Sequence, residues 1–421
     1  MKKGFFIILK MIFMVFMSII AGGLLLTAVY MIPVDKMKEN VANSLQEYNT
    51  NPIEAWCKNY PNYTQTDMQT ESIKIMEAIS DEGGSPFARA MNSVYYRYED
   101  DTVMSSLIKY VSGEDNPGKI YYSRYWHGYL TYLKPLLYFV SLSTIKLINM
   151  TLQFVLCIVL AILLRDKLGI MFSFAFCGFV LVLNPVTIFL SMQNDVIFYI
   201  ASVSSILLLL FNDKMKDGRS SYYYLFLFIG VLVAYLDFLT YPAVSVGVPL
   251  LVYILLNKCT LRDYFLDIIR FSTTWVFGYA GMWAGKWYLS DLLLSTNVVN
   301  DGVYNLVYRS SGNPYGETAE MNSTFFHTVA KNFAILNVLP LKVFCLVMVS
   351  VAIYLFFKNK NKIDFTKVVA VLIVSTYPFF WYFAIRNHSV IHPWIEYREL
   401  GLFVFGILCI LGLIANRRQV D

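Results

Sequence analysis

Long apolar runs separated by short polar breaks cover most of this 421-residue chain, and one long polar segment interrupts the pattern early. Runs near 20 apolar residues recur, which is the length that an α-helix needs to cross about 30 Å of hydrocarbon. The two-residue alternation of a membrane β-barrel is absent from the sequence, so helices are expected to satisfy the backbone in lipid. The pattern predicts an all-α, polytopic membrane protein with about 10 transmembrane helices.

The predicted spans cover residues 11–32, 144–164, 168–188, 196–212, 221–238, 243–257, 272–293, 335–357, 367–384 and 399–415. A cleavable signal peptide is the competing interpretation of the first run. That run is longer than a typical signal-peptide core and lacks a small-residue cleavage site, which favours an anchor. Basic residues such as Lys214, Arg219, Lys360 and Arg417 fall on one side of these spans, and basic loops mark the cytoplasm. We expect a multi-pass protein of the cell membrane with both termini cytoplasmic.

Residues 1–421 are predicted to form a single integral membrane domain with outer loops at 33–127, 294–334 and 385–398. The loop at 33–127 has 14 Asp and Glu residues against 9 Lys and Arg, although the chain as a whole has a net charge of +5. This acidic loop is therefore expected outside. Helix-start signals at Asp67 and at Ser85-Pro86 predict that it is helical. An apolar stripe from Phe87 to Tyr98 extends the second helix, and residues 121–140 suit a helix lying in the interface.

Composition supports the membrane class, since 57% of residues are hydrophobic and only 15% are charged. The six cysteines imply no disulfide framework, because most of them fall in apolar spans. No nucleic-acid motif or internal repeat is visible.

The four histidines, His127, His327, His388 and His392, all fall on the predicted outer side. His388 and His392 share one segment with Arg398. One interpretation is a solvated loop whose arginine side chains snorkel to the aqueous phase. Another is an anion site, in which Arg398 offers a planar fork to phosphate and the imidazoles add donors. Zinc could use the His pair, but Pro393 follows directly and no third ligand is obvious.

Carboxylates supply a second group of candidates. Asp67 is at a predicted helix start, where capping is its simplest role. Glu99, Asp100 and Asp101 follow the second loop helix and could be a solvated helix end. The remaining candidates flank predicted spans on the outer side or lie within one: Arg124, His127, Asp195, Asp237 and Lys286.

Lys286 is the one lysine well inside a predicted span. An ionisable residue there is costly and indicates function, with Asp237 or Asp291 as its partner. Snorkelling to the interface is the alternative explanation.

A first span followed by a large outer loop, an interfacial helix and the hairpin at 183–195 resembles the glycosyltransferase C superfamily. These integral membrane enzymes take a sugar from a polyprenyl phosphate donor at the outer face. The segments at 125–130, 237–242 and 387–392 are also similar to uncharacterised bacterial membrane proteins of polysaccharide gene clusters.

The resemblance implies that an acid early in the first loop is catalytic, here Asp67, and that His388, His392 and Arg398 bind the donor phosphate. One departure is that the superfamily often has two neighbouring acids at this point, whereas Thr66 precedes Asp67 here. Glu99, Asp100 and Asp101 are therefore kept as alternative acids.

The expected function is an inverting transfer of sugar to a cell-envelope glycan or lipid-linked acceptor. No cofactor is required by the sequence, because it has no Asp-x-Asp cluster, although a divalent metal could assist the leaving phosphate. The rivals are a lipid-linked sugar flippase or transporter, a polysaccharide polymerase or ligase, and a non-enzymatic assembly partner. Transporters usually have inverted repeats and polar helices near the midplane, whereas the polar residues here concentrate at the outer ends.

Overall fold

The computed structural model of the chain describes residues 2–45, 55–217, 220–311, 324–359 and 363–415. The basic residues Arg219, Lys360, Lys362, Arg417 and Arg418, which contributed to the predicted orientation, lie outside these ranges. Within the described ranges, six helical segments are long and apolar enough to cross a membrane: Gly4–Val29, Leu142–Lys167, Asp195–Lys216, Leu339–Lys358, Phe365–Ala384 and Pro393–Ala415. The protein is thus an α-helical, multi-pass membrane protein.

The N-terminal third contains the first helix, the first loop and a short helix that follows it. Its elements are α1 (Lys2–Val29), α2 (Asp35–Leu45), α3 (Pro61–Thr64), α4 (Met68–Ile79), α5 (Pro86–Asn92), β1 (Val94–Arg97), α6 (Val103–Val111), β2 (Gly118–Tyr121) and α7 (Leu130–Phe139). The two strands pair antiparallel, with Val94 opposite Tyr121.

The rest of the described chain is helical. Its elements are α8 (Leu142–Lys167), α9 (Ile170–Leu183), α10 (Pro185–Leu190), α11 (Asp195–Asp217), α12 (Ser220–Leu236), α13 (Ala243–Leu256), α14 (Leu261–Leu294), α15 (Val298–Ser311), α16 (Phe325–Ile335), α17 (Leu339–Asn359), α18 (Phe365–Ser375), α19 (Tyr377–Ala384), α20 (Arg386–Ile391), α21 (Pro393–Glu396), a 3-10 turn (Tyr397–Glu399) and α22 (Leu400–Ala415).

The helix starts predicted in the first loop are confirmed. The Asp67 side chain caps α4 by accepting from the Thr70 backbone N–H. The Ser85 side chain likewise caps α5 by accepting from the Ala88 backbone N–H. The predicted stripe from Phe87 to Tyr98 is wrong, because α5 ends at Asn92. Ser93 then takes a left-handed backbone conformation, with φ 48°, and the chain continues as β1.

Two predicted spans are broken by proline. In the third, Asn184 has φ 61° and Pro185 begins a new short helix, so residues 168–188 form two helices. In the ninth, α18 ends at Ser375 and α19 begins at Tyr377, with Pro378 in its first turn. A proline cannot donate the backbone hydrogen bond that would continue the helix. The predicted interfacial helix at 121–140 begins only at Leu130.

The first loop and the membrane helices share one hydrophobic core. Buried side chains of α1, the loop helices, α7, α12 and α14 form a continuous cluster that includes Leu26, Met76, Leu133, Val231 and Met282. The loop therefore rests directly on one end of the bundle. This packing brings the charged residues of the loop against those of the helix ends.

Candidate active site

Helix α4 turns a charged face toward the protein interior. Asp67, Glu71, Lys74 and Glu77 are spaced so that they fall on one side of a helix. None of the four is more than 8% exposed. Buried charges are costly unless they are paired or hydrogen-bonded, so each needs a specific partner.

Lys74 is at the centre of this buried layer. Its Nζ donates to the carbonyl of Met192 at 2.6 Å and lies 4.5 Å from the centre of the Tyr129 ring. Burial lowers the pKa of Lys74, and nearby carboxylates oppose that shift. These carboxylates come from the loop, from the start of α11 and from the turn after α12: Asp195, Asp237, Glu71 and Glu77.

The two glutamates of α4 are bound to different parts of the protein. Glu71 accepts from Lys146 of α8 at 2.5 Å and from the backbone N–H of Met192 at 3.2 Å. Glu77 accepts a hydrogen bond from the Tyr129 hydroxyl, and its Oε2 lies 3.0 Å from His127 Nδ1. The layer is therefore fixed to the bundle by its own charges.

Asp67 lies at the helix start that the sequence predicts, and its side chain is buried there. Its two oxygens accept the backbone N–H of Thr70 at 3.1 Å and the Thr70 hydroxyl at 2.7 Å. Burial raises the pKa of Asp67, whereas the Thr70 hydrogen bonds lower it. The negative charge of Glu71 also raises the pKa of Asp67, and the positive charge of Arg398 also lowers it.

Asp237 repeats this local arrangement on the membrane side. Its carboxylate accepts the Thr240 backbone N–H at 2.9 Å and the Thr240 hydroxyl at 2.6 Å. Burial raises its pKa, and the same two hydrogen bonds and Lys74 oppose the shift. The two aspartates thus share one spacing, Asp-x-x-Thr, and Asp237 is the one that interacts electrostatically with Lys74.

A largely apolar cavity of about 400 Å³ opens between α14, α15 and the α19–α20 segment. Its walls include the aromatic residues Tyr125, Trp283 and Trp287, and two arginines, Arg124 and Arg309, also line it. We call it the arginine cavity. Its volume is within the range of ligand sites, and its composition suits an apolar ligand with an anionic group.

The two arginines are held differently. Arg124 pairs with Asp301 at 3.2 Å and lies over the ring of Tyr122 at 4.6 Å. Arg309 donates from Nη1 to Nδ1 of His388 at 2.8 Å. An arginine can only donate, so Nδ1 of this histidine is an acceptor and carries no proton.

His388 is consequently not a free donor. Its Nε2 lies 3.2 Å from the carbonyl of Leu239 and 3.3 Å from Oε1 of Glu396. Burial and the neighbouring Arg309 hold the pKa of His388 well below its usual range. Burial and Arg309 also lower the pKa of His392 to about 4. Both imidazoles are neutral at pH 7, and His388 positions Arg309.

Arg398 is not with the histidines in one anion site. Its guanidinium is fully buried and donates to the carbonyls of Leu183 at 3.0 Å and Trp394 at 2.7 Å. It does not line the arginine cavity. Its Nη2 atom is buried without a hydrogen-bond partner, and its nearest link to the predicted site is the electrostatic one to Asp67.

Three further predictions on site residues are corrected. Glu99, Asp100 and Asp101 follow strand β1 rather than a helix, and Asp101 pairs with Lys109 at 3.0 Å. Lys286 has neither Asp237 nor Asp291 as its partner. Its Nζ donates to the carbonyl of Met91 at 2.7 Å, so it anchors the first loop to α14. The segment at 385–398 is no open loop, since it forms short, largely buried helices.

The remaining candidates lie close to the charged layer. His127 has a left-handed backbone conformation, with φ 55°, and its Nε2 lies 2.8 Å from the carbonyl of Tyr122. Asp195 begins α11 and is 4% exposed. His327, by contrast, is exposed in the first turn of α16, where its backbone N–H donates to the Thr324 hydroxyl at 3.2 Å.

Several residues of the site were not among the candidates predicted from the sequence: Glu71, Lys74, Glu77, Arg309 and Glu396. For the α4 residues, the signal was a charge every three to four positions on a helix that also carries apolar residues. For Arg309 the sequence offers no comparable signal, because its partner His388 is 79 residues away.

Within the described ranges, no group of three or more His, Cys, Asp and Glu side chains is arranged to hold a metal ion. Comparison with protein-family models, curated proteins and solved structures finds no match to this chain.

Proposed function

We propose that the chain is a membrane glycosyltransferase that moves a sugar from a polyprenyl phosphate donor to a cell-envelope glycan or lipid-linked acceptor at the extracytoplasmic face. The observation that carries this proposal is the arginine cavity. A polyprenyl phosphate combines a long apolar tail with an anionic head, and the cavity combines aromatic walls with Arg124 and Arg309. In this assignment Arg309 takes the phosphate-binding role that the resemblance gave to Arg398.

The transfer needs a base and a stabilised leaving group. The acceptor hydroxyl gives its proton to a carboxylate, and its oxygen bonds to C1 of the sugar as the C1–O bond to phosphate breaks. The electron pair of that bond goes to the phosphate oxygen, where the arginines offset its charge. Attack opposite to the leaving group makes the reaction inverting.

Two buried aspartates are suited to act as the base. The resemblance favours Asp67. Asp237 has the same Thr-bound geometry, and its segment forms part of the wall of the arginine cavity through Leu239. We assign the base to Asp67 and keep Asp237 as the residue against which this assignment is tested.

The proposal includes ten membrane spans with both termini in the cytoplasm. Beyond the six long apolar segments, three shorter apolar helices, α9, α12 and α13, and the 34-residue α14 supply the other four. Lys286 supports this orientation, since its contact with Met91 puts it at the same end of the bundle as the first loop. A transporter would need charge near the midplane, and this contact weakens that alternative.

Binding of farnesyl phosphate to the purified protein in detergent tests the donor site. We expect Arg309→Gln to weaken binding by about 10-fold to 100-fold, because a charge-assisted hydrogen bond contributes roughly 1.5–3 kcal/mol. Arg165→Gln is the matched control, since Arg165 is exposed at the end of α8 and pairs with Asp166 at 2.8 Å.

Farnesol, which lacks the phosphate, should bind the wild type and Arg309→Gln equally weakly. Unchanged farnesyl phosphate binding in both Arg309→Gln and Arg124→Gln would reject the donor site. Binding without sugar transfer to any acceptor, together with movement of the lipid across vesicles, would instead assign the chain to transport.

A further inference from the structure

A second cavity, of about 350 Å³, lies between α7, α8 and α11. Its walls are mostly apolar, and Asp195 is among the residues that line it, from which we name it the Asp195 cavity. Several of its lining side chains, including Leu152 at 52% and Tyr132 at 40%, are exposed at the side of the bundle. The cavity is therefore accessible from the direction in which lipid surrounds the helices.

Two polar groups in this cavity have unused hydrogen-bonding capacity. Asp195 is 4% exposed, and its Oδ1 has no hydrogen-bond partner among the described residues. Asn149 is 8% exposed, and its amide nitrogen is likewise without a partner in the described ranges, whereas its side-chain and backbone oxygens both accept from the Tyr199 hydroxyl. An unpaired buried polar atom is costly, which indicates that a ligand completes both groups.

We propose that the Asp195 cavity binds a neutral amphiphile whose head carries hydroxyl groups. A hydroxyl donates to the free oxygen of Asp195 and accepts from the free amide of Asn149, so one head group satisfies both atoms. The apolar walls accommodate its chain.

The charge of the cavity selects against a phosphate head. Among the described residues, no lysine or arginine lines the Asp195 cavity, whereas two arginines line the arginine cavity. Lys74 acts electrostatically on Asp195, but its Nζ is bonded to the carbonyl of Met192 and it does not line the cavity. A cationic head could not accept from the Asn149 amide N–H, whose partial positive charge it would face. The two cavities therefore differ in the ligand that each favours.

The segment that follows α12 separates the two cavities. Leu236 lines the Asp195 cavity, Leu239 lines the arginine cavity, and Asp237 lies between them in the chain. In the transferase, the amphiphile would be the acceptor whose hydroxyl receives the sugar. This acceptor role rests on the proposed function, but the binding of the amphiphile does not.

A photoactivatable dioleoylglycerol in nanodiscs tests the site without any sugar donor. We expect it to crosslink to α8 and α11 and to be displaced by unlabelled dioleoylglycerol. Matched probes with a phosphate head or a trimethylammonium head should label these helices about 10-fold less, because each leaves one or both polar groups unpaired.

Three variants locate the binding. Asp195→Leu should reduce labelling about 10-fold. Leu152→Trp fills the cavity and should reduce it as strongly without touching the charged layer. Leu147→Trp is the matched control, because Leu147 is exposed on α8 and does not line the cavity.

Equal labelling by the phosphate or cationic probe, or unchanged labelling in Leu152→Trp, would overturn the proposal. Since the assay needs neither donor nor turnover, its result is separable from the transferase. Labelling as expected with no transfer activity would retain the site and reject only its role as the acceptor site.

Discussion

At the scale of single residues, Asp67 and Asp237 are two carboxylates with the same local hydrogen bonds. Each accepts a backbone N–H and a hydroxyl from the threonine three positions later, and each is raised in pKa by burial. A raised pKa makes a carboxylate a stronger base once it is ionised. The local structure thus offers two candidate bases, and substitution decides between them.

Asp67→Asn should lower the rate of sugar transfer by a factor on the order of 10²–10⁴, the usual contribution of general base catalysis. The asparagine still accepts the Thr70 N–H, because Asn caps a helix about as well as Asp. Folding and farnesyl phosphate binding should therefore persist. The measurement is single-turnover transfer from a polyprenyl phosphate sugar.

Asp237→Asn is the matched variant, since the hydrogen bonds of Asp237 with Thr240 correspond to those of Asp67 with Thr70. If Asp237→Asn abolishes transfer while Asp67→Asn leaves it near normal, the base is Asp237. If both variants transfer sugar at a near-normal rate, neither aspartate is the base.

His392 should make stability depend on pH. Its native pKa is lowered to about 4, whereas an unfolded histidine has a pKa of about 6.5. Between these values the unfolded state binds a proton that the native state does not, so this residue lowers stability as the pH falls from about 6.5 toward 4. His392→Phe should lose less thermal stability over this window than the wild type.

The ring packing of His392 against Trp394 is retained by phenylalanine, which limits other effects. His327→Phe, at an exposed position on α16, is the control and should follow the wild type. A wild-type pH dependence in His392→Phe would show that this histidine titrates alike in the folded and unfolded states.

At the scale of elements, the closest helix contact is between α12 and α14. A Cβ at Gly278 would lie 2.3 Å from the carbonyl oxygen of Leu227, and one at Gly230 would lie 2.2 Å from that of Trp275. Small residues allow helix backbones to approach closely in a membrane protein. The pair sets the position of α14, which carries Lys286 and the aromatic wall of the arginine cavity.

Gly278→Ala should destabilise the protein by about 1–3 kcal/mol, because the helices must separate to admit the methyl group. Gly23→Ala is the control: its Cβ would meet Leu289 at an ordinary 3.5 Å, and alanine is favoured over glycine inside a helix. Reversible unfolding in mixed detergent measures both. Equal stability of the two variants would mean that the α12–α14 contact is loose in solution.

At the scale of the whole molecule, the acidic first loop lies over one end of a bundle whose other end carries basic helix ends such as Lys167 and Lys216. From the positive-inside rule we expect the loop to lie outside. Both proposed lipid sites are on the loop side, where Arg124, Asp195 and the loop helices meet.

Cysteine labelling in intact cells tests this orientation. In a variant without the six native cysteines, Ser85→Cys should react with an impermeant maleimide. Lys216→Cys should react only after the membrane is permeabilised. Both positions are exposed in the fold, so the membrane alone decides their reactivity. The opposite pattern would invert the topology and place both cavities at the cytoplasmic face.

The sequence by itself determined the features that depend on a few neighbouring residues. Apolar runs set the helical membrane class, and the caps at Asp67 and Ser85 are bonds to a backbone group three residues away. The tertiary structure decided which charges meet. The Arg309–His388 contact spans 79 residues, and the burial of Lys74 depends on Met192, which is 118 residues away. Such pairs form only after the loop packs on the bundle, and no local pattern encodes that packing, so Arg398 and not Arg309 stood out in the sequence.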